Sequence, residues 1–408
     1  MKISVVGGGS TYTPELIDGF GGFAGPDIGL DEVVLIDPSH ERLSVVGPFA
    51  QRLLPGVPVR WTHDLESGLD GADIVVIQLR VGGQAARIND ETFPLEFGCV
   101  GQETTGAGGF AKALRTVPVV LDVAAKAPSD AWIVNFTNPV GIVTRALLDA
   151  GHRAVGLCNV AIGFQRRFAA LLGVPPEAVT LDHIGLNHLT WERAAYVDGV
   201  DRLPELREAA AEMVEMPLSV LERDGGVPSY YLRYFYQHDL VVSQQVSSPS
   251  RGSKVAAIEA ELLEMYRDPA LVTKPELLGQ RGGAFYSEAA VGLIKSLLND
   301  DNEIHAVNLR NGGSFPFLPP EAVIEVGCQV NQDGPAAVPI GQIDPLQRGL
   351  ISSVAAYEEL ALDAARRGGR DRVYRALLAN PLVAQHDLAE KLTDRLIAAN
   401  LEHLAWAR

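Results

Sequence analysis

Cysteine is scarce. The 408 residues hold three, Cys99, Cys158 and Cys328. Their odd number and wide separation exclude a disulfide framework and fit a reducing compartment. Basic charge is scarce too. Lys plus Arg number 34 against 51 Asp plus Glu, a net charge of −17. Affinity for a phosphate backbone is built from clustered Lys and Arg, so nucleic acid is excluded as a general partner. A local basic pocket for a small anion is still allowed. No run approaches the roughly 18 consecutive apolar residues of a membrane span, so no membrane partner is expected. Nor does the chain open like a signal peptide: Lys2 precedes a run of only four apolar or small residues, and Gly7-Gly8-Gly9 ends it. The expectation is a cytoplasmic protein. There is no internal repeat, low-complexity tract or long Pro/Gly/Ser linker.

What is present is globular. At 47% hydrophobic and 21% charged, the chain is neither disordered nor fibrous. Apolar runs at Lys2–Val6, Glu32–Ile36, 73–78, 131–136 and 154–157 alternate with helical stretches. Helices are expected from Thr13-Pro14-Glu15, from Ser39 as N-cap to about residue 54, and over 114–125 and 141–150. This alternation predicts an α/β fold with an N-terminal Rossmann-like, doubly wound parallel sheet. After about residue 160 the rhythm changes. Paired strands over 178–198, helices, and strands at 304–307 and 322–329 predict a C-terminal α+β substrate domain. The division expected is 1–160 for a dinucleotide-binding domain and 161–408 for substrate, metal and oligomerisation, with one site at the junction.

Val6-Gly7-Gly8-Gly9-Ser10-Thr11-Tyr12 approximates G-x-G-x-x-G between the first strand and helix. Gly7 permits the tight turn, and Gly9 lets backbone N–H groups approach a pyrophosphate at a helix N-terminus. Tyr12 departs from the third glycine. Alone, such a turn is weak evidence and is often an ordinary strand-to-helix connection. Asp37, closing the second strand, strengthens it, because a carboxylate there accepts hydrogen bonds from a ribose and favours NAD over NADP. Gly7, Gly8, Gly9, Ser10, Thr11 and Asp37 are the cofactor candidates.

Cys158 follows a strand at the ligand-binding edge, where a thiolate with a neutral imidazole suits a divalent metal. His188 is the favoured second ligand and His183 its competitor. Cys158 and His188 stand 30 residues apart, which matches no zinc signature. Composition and spacing alone favour a buried thiol and a structural histidine. Arg80, Arg87 and Arg251 lie in loop-like, Gly- or Ser-bearing surroundings. Arg251, in Ser248-Pro249-Ser250-Arg251-Gly252-Ser253, suits a phosphate monoester, although a single Arg is more commonly solvated surface. Residues 228–236 hold four of the ten tyrosines. They form either a core-packed aromatic face or a source of a phenol activated as a base.

Together these segments resemble family 4 glycoside hydrolases. The matches run in family order along nearly the whole chain. They are Val5-Val6-Gly7-Gly8-Gly9-Ser10-Thr11-Tyr12-Thr13-Pro14-Glu15, Gly101-Gln102-Glu103-Thr104-Thr105-Gly106, Asn135-Phe136-Thr137-Asn138-Pro139, Gly156-Leu157-Cys158-Asn159-Val160, Gly185-Leu186-Asn187-His188, Tyr231-Leu232-Arg233-Tyr234 and Arg281-Gly282-Gly283. The resemblance implies an NAD- and divalent-metal-dependent glycosidase, an exception to the two-carboxylate rule. It implies Cys158 and His188 as ligands of Mn²⁺ or another divalent metal, and Tyr231 as base, with Tyr230 and Tyr234 as neighbours. Arg87, Asn138, Asn159 and Arg251 become substrate contacts. Asn159 stands where the α-specific branch carries an acidic Asp. An amide is not an acid, so the β-specific branch, acting on 6-phospho-β-glucosides, is implied. Ala161 replaces a proline frequent in relatives, a change expected to alter only loop stiffness.

The implied chemistry is a closed redox cycle. NAD⁺ takes a hydride from carbon 3 of the sugar, and the resulting ketone acidifies the proton on carbon 2. Tyr231 removes that proton, the aglycone leaves, water adds, and the hydride returns. The implied substrate is a phosphorylated disaccharide or aryl glycoside, and the implied assembly a homodimer or homotetramer. Two rival readings share the N-terminal features. One is an NAD-dependent oxidoreductase of a small hydroxy acid, and the other a non-catalytic NAD-binding sensor.

Overall fold

Four- and five-residue apolar runs, rich in Val and Ile, are long enough only for strands buried on both faces. The computed structural model describes residues 1–21, 29–283 and 285–408. In it β1 (Lys2–Val6), β2 (Glu32–Ile36), β3 (Val59–Thr62), β4 (Ile74–Ile77), β5 (Trp132–Asn135) and β6 (Ala154–Gly156) are parallel, in the spatial order β3-β2-β1-β4-β5-β6. That is the doubly wound dinucleotide-binding order. The direction of winding reverses between β1 and β4, which opens a crevice beyond their carboxyl ends.

The second half of the chain begins with β7 (Val179–Leu186) and β8 (Leu189–Val197), the antiparallel pair expected over 178–198. β9 (Val200–Asp201) and β10 (Val227–Pro228) pair with β8 in the same small sheet. The strands expected at 304–307 and 322–329 are longer, β11 (Glu303–Arg310) and β12 (Val323–Asn331). With β13 (Gly334–Ala337) they extend the large sheet to nine strands. β11 meets β6 antiparallel where Asn308 faces Gly156. A Cβ on Gly156 would fall 2.3 Å from Thr144 Oγ1 and 2.8 Å from Asn308 Cβ, so only glycine permits this junction.

Ser39 caps the helix His40–Leu53, its hydroxyl accepting the Arg42 N–H, as its position suggests. β3 and the helix Gly83–Thr92 were not anticipated. β3 is an edge strand interrupted by Arg60 and the exposed Trp61, which hides its alternation. The helix expected over 114–125 spans Gly106–Lys126. Its first turns contain Gly106, Gly108 and Gly109, which cost helix stability and so masked it. Packing requires them: a Cβ on Gly108 would lie 2.2 Å from the Asp90 carbonyl oxygen. Asp90 also fixes this helix against Gly83–Thr92, taking bonds of 3.0 and 2.6 Å from the buried Arg115 guanidinium.

A buried polar network ties the two sheets together. Glu325 on β12 accepts from Asn308 (2.7 Å) on β11 and from Asn187 (2.9 Å) at the end of the β7–β8 hairpin. Its other oxygen lies 3.2 Å from His183 Nε2, and His183 Nδ1 lies 2.7 Å from Glu192 on β8. Burial alone would lower the His183 imidazole. The two carboxylates outweigh it and hold the imidazole up to about 10. Glu325 is held below its usual range despite burial, chiefly by His183 and the two amides.

An imidazole raised on folding contributes stability that is complete below its unfolded value, about 6.5, and is lost as pH rises through the folded one. The melting temperature is therefore expected to fall as pH rises toward about 10. His183→Gln should lower the melting temperature at neutral pH and flatten that alkaline slope. Thermal melts over the range check this, and an unchanged slope in the variant contradicts it.

Candidate active site

The crevice beyond β1 and β4 is an open cleft of about 1610 Å³, lined from both halves of the chain. At one end is the glycine turn. Gly7 has φ 90, and a Cβ there would lie 2.5 Å from the Gln78 carbonyl oxygen on the neighbouring strand. A Cβ on Gly9 would lie 2.9 Å from Asp37 Cγ, so the turn is a cradle open only to glycine. Asp37 accepts the Gly9 N–H at 3.1 Å and the Ser39 N–H at 2.9 Å, which fixes its carboxylate at the crevice edge. Gly7, Ser10 and Asp37 line the cleft, whereas Gly8, Gly9 and Thr11 lie behind that surface.

Tyr12, at the departed glycine position, bridges the two halves. Its hydroxyl donates to the Gly283 carbonyl, and its ring receives the Arg281 guanidinium at 5.4 Å. Arg281 donates to Thr11 Oγ1 at 2.8 Å and to Glu259 at 2.8 Å. Arg281 and Glu259 had no legible signal beyond the Arg281-Gly282-Gly283 segment itself.

At the other end, the two-residue turn of the β7–β8 hairpin is Asn187-His188, with His188 at φ 62. His188 stacks on Tyr231, ring centroids 3.8 Å apart and planes at 16°. Burial takes its imidazole down to about 4, so the ring is neutral at pH 7. Its Nδ1 is buried without a hydrogen-bond partner among the described residues. His183, the competitor, has both ring nitrogens engaged by carboxylates and is unavailable to a metal.

Cys158 ends the β6 connection just before the helix Val160–Leu172. It is 4% exposed and lies behind the cleft surface, which its neighbour Asn159 lines. Burial pushes the thiol up and Glu325 adds to that, against hydrogen bonds from Val160, Asn187 and Asn159 that favour the thiolate. Asn187 thus reaches both Cys158 and Glu325. A neutral imidazole lining the cleft and a thiol at a helix start fit a divalent ion that takes its other ligands from substrate or water. Among the described residues no set of three or more His, Cys, Asp and Glu could hold a metal.

The three tyrosines differ in what their hydroxyls do. Tyr230 accepts from Arg233 at 2.7 Å, and Tyr234 accepts from Gln102 at 2.8 Å. Tyr231 forms no hydrogen bond to a described residue and lines the cleft. Burial pushes its phenol well above the usual range, with Cys158 adding and Arg87 opposing. A cation close to its oxygen is therefore required before it acts as a base.

Arg87 and Arg251 line the cleft from helices rather than loops. Arg87 lies on Gly83–Thr92, and Arg251 opens Arg251–Tyr266. Arg87 is oriented by Glu91 (2.8 Å) and Glu103 (3.1 Å), and Arg251 by the Gln280 carbonyl (2.8 Å). Asn138 lines the cleft with its Oδ1 buried and unpartnered. Glu103 and Lys112 were missed as site members. Glu103 pairs with Arg80, with Lys112 at 2.7 Å and with Arg87; burial would raise its carboxyl, but these cations hold it well below the usual range. Burial lowers Lys112 to about 8 against the pull of Glu103, with Arg80 and Arg87 adding to the lowering. A lysine among the small residues of a helix gives no sequence sign of this cluster.

Known proteins resemble this chain along nearly its whole length. The family 4 glycosyl hydrolase model matches residues 2–174, and the model of the family's C-terminal domain matches residues 183–383. The chain is 36% identical to a probable 6-phospho-beta-glucosidase of Bacillus subtilis, over 99% of this chain and 97% of that one. The structure of the 6-phospho-beta glucosidase from Thermotoga maritima with manganese, NAD⁺ and glucose-6-phosphate has a TM-score of 0.94 at 35% identity, covering 99% of both chains. Phospho-alpha-glucosidase PagL of Clostridium acetobutylicum is 30% identical, over 98% of this chain and 97% of that one. The sheet order, the glycine cradle and these full-length matches lead to one assignment: the chain belongs to the family 4 glycosyl hydrolases.

Proposed function

We propose that this chain hydrolyses 6-phospho-β-glucosides, using NAD⁺ and a divalent metal such as Mn²⁺. The carrying observation is the His188–Tyr231 stack at 3.8 Å in the cleft that begins at the glycine cradle. The β-named relative at 36% identity and Asn159 in place of an acidic residue support the β preference. When bound, NAD⁺ supplies a hydride acceptor and the metal ion supplies charge that acidifies sugar hydroxyls and carbon 2.

The chain's own residues do the rest. Gly7 and Ser10 meet the dinucleotide on a turn that Gly8, Gly9 and Thr11 shape from behind, and Asp37 accepts from its ribose. Cys158 and His188 hold the metal, and Asn138 and Asn159 orient the sugar beside it. Tyr231 Oη takes the proton from carbon 2 and keeps it away from bulk water. Arg87 and Arg251 bring positive charge to the 6-phosphate, and binding that remote group orients the ring. Residues 1–160 serve the cofactor in this account, and residues 161–408 contribute His188, Tyr231 and Arg251 to the substrate.

Among the described residues no helix is long and apolar enough to cross a membrane. A cytoplasmic location is part of the proposal, supported by three free cysteines and by a phosphorylated substrate that does not cross bilayers unaided. So is a homodimer or homotetramer, supported by the exposed Leu240 and Val246 on one helix.

Tyr231→Phe keeps the ring and its stack but deletes the oxygen. It is expected to slow turnover by about 10²- to 10⁴-fold, the usual worth of a positioned base. Tyr234→Phe loses only the bond from Gln102 and should be much milder. Turnover of both variants on an aryl 6-phospho-β-glucoside checks this, and a fully active Tyr231→Phe removes Tyr231 as base.

The phosphate is tested by comparing kcat/KM on the same aryl glucoside with and without it. The unphosphorylated sugar should be far poorer, and Arg251→Ala should narrow the gap. Equal efficiency in the wild type contradicts the proposed pocket.

A further inference from the structure

A second, small cavity lies behind His188. It measures about 30 Å³, room for a water, which needs roughly 10–15 Å³ and two to four polar partners. Three turns that carry site residues wall it. They are Thr104-Thr105-Gly106 after Glu103, Pro139 after Asn138, and Asn187-His188-Leu189. The long helix Pro345–Arg367 contributes Tyr357 and Glu358 to the opposite wall, and Ile142, Phe235 and Asn380 complete it.

Glu358 forms no hydrogen bond to a described residue, and its shift is set by burial and the charge of Glu325 alone. It packs against the first turn of the helix Val140–Asp149, where a Cβ on Gly141 would fall 3.1 Å from its Oε1. Thr105 Oγ1 and His188 Nδ1 belong to residues lining the same cavity and are buried without partners among the described residues, and Asn380 Nδ2, beside the Tyr357 hydroxyl, has a second hydrogen to give.

A histidine that ligates a metal through one nitrogen carries its proton on the other, and that N–H needs an acceptor to fix the ring. We propose that Glu358 is a positioning residue, holding one water that accepts the Nδ1–H of His188 and so leaves Nε2 free to ligate. The water accepts from His188 and Asn380 and donates to Glu358 and Thr105, which satisfies all four groups. This inference rests on the divalent-metal reading of Cys158 and His188. Burial pushes the Glu358 carboxyl up to about 8. Glutamine, with one acceptor oxygen and a donor, therefore imitates its neutral form.

The test has two readouts. In the metal-free wild type, the ¹⁵N shifts of the His188 ring should report the Nδ1–H tautomer. Mn²⁺ affinity, measured by calorimetry without NAD⁺, should fall about 10- to 100-fold in Glu358→Leu and stay within about threefold in Glu358→Gln. NAD⁺ affinity should be unchanged in both. The Nε2–H tautomer in the wild type overturns the proposal even if the leucine variant does not fold. So does wild-type Mn²⁺ affinity in a folded Glu358→Leu. If Cys158→Ser binds Mn²⁺ as tightly as the wild type, the metal reading itself falls, and the tautomer still decides the role of Glu358.

Discussion

Glu325 is the carboxylate on which the architecture turns. It sits on β12, in the large sheet, and faces the hairpin of the small one. Its partners, His183, Asn187 and Asn308, come from β7, from the turn that ends it, and from β11. Removing one partner would leave a buried charge uncompensated, and such losses are far larger than the worth of a surface pair. The network thereby sets the position of the Asn187-His188 turn relative to the end of β6, which carries Cys158. The proposed sharing of an ion by Cys158 and His188, from different halves of the chain, needs that separation fixed.

Charge is distributed in the same spirit. The chain carries a net −17, yet the cleft gathers Arg80, Arg87, Lys112, Arg251 and Arg281. Glu103 pairs with Arg80, Arg87 and Lys112, and Glu259 with Arg281. An anionic cofactor and an anionic sugar would meet an electropositive interior within a repelling exterior, an arrangement that favours small anions over polyanions.

The parallel half of the fold was legible because strand and helix periods alternate there, and because Ser39 and Asp37 carry conformational signals in their side chains and Gly7 in its lack of one. The nine-stranded sheet was not. The pairing of β11 with β6 depends on Gly156 allowing a close approach to Asn308, which no local pattern records. The start of the helix Gly106–Lys126 was hidden by glycines whose purpose is contact with Asp90 and Thr104. Within the proposed site, Cys158, His188 and Tyr231 could be named from ordered motifs. Lys112, Glu259, Glu325 and Glu358 could not, because burial and partners across the fold give them their character.

In the proposed hydrolysis a nicotinamide cofactor turns over with no net oxidation. The most direct measurement incubates the protein with an aryl 6-phospho-β-glucoside, Mn²⁺ and NAD⁺ far below the substrate concentration. Phenol release and NADH absorbance are followed together. Many phenols should be released per NAD⁺, with no NADH accumulating at steady state. Stoichiometric NADH formation with product would contradict this and identify an ordinary dehydrogenase.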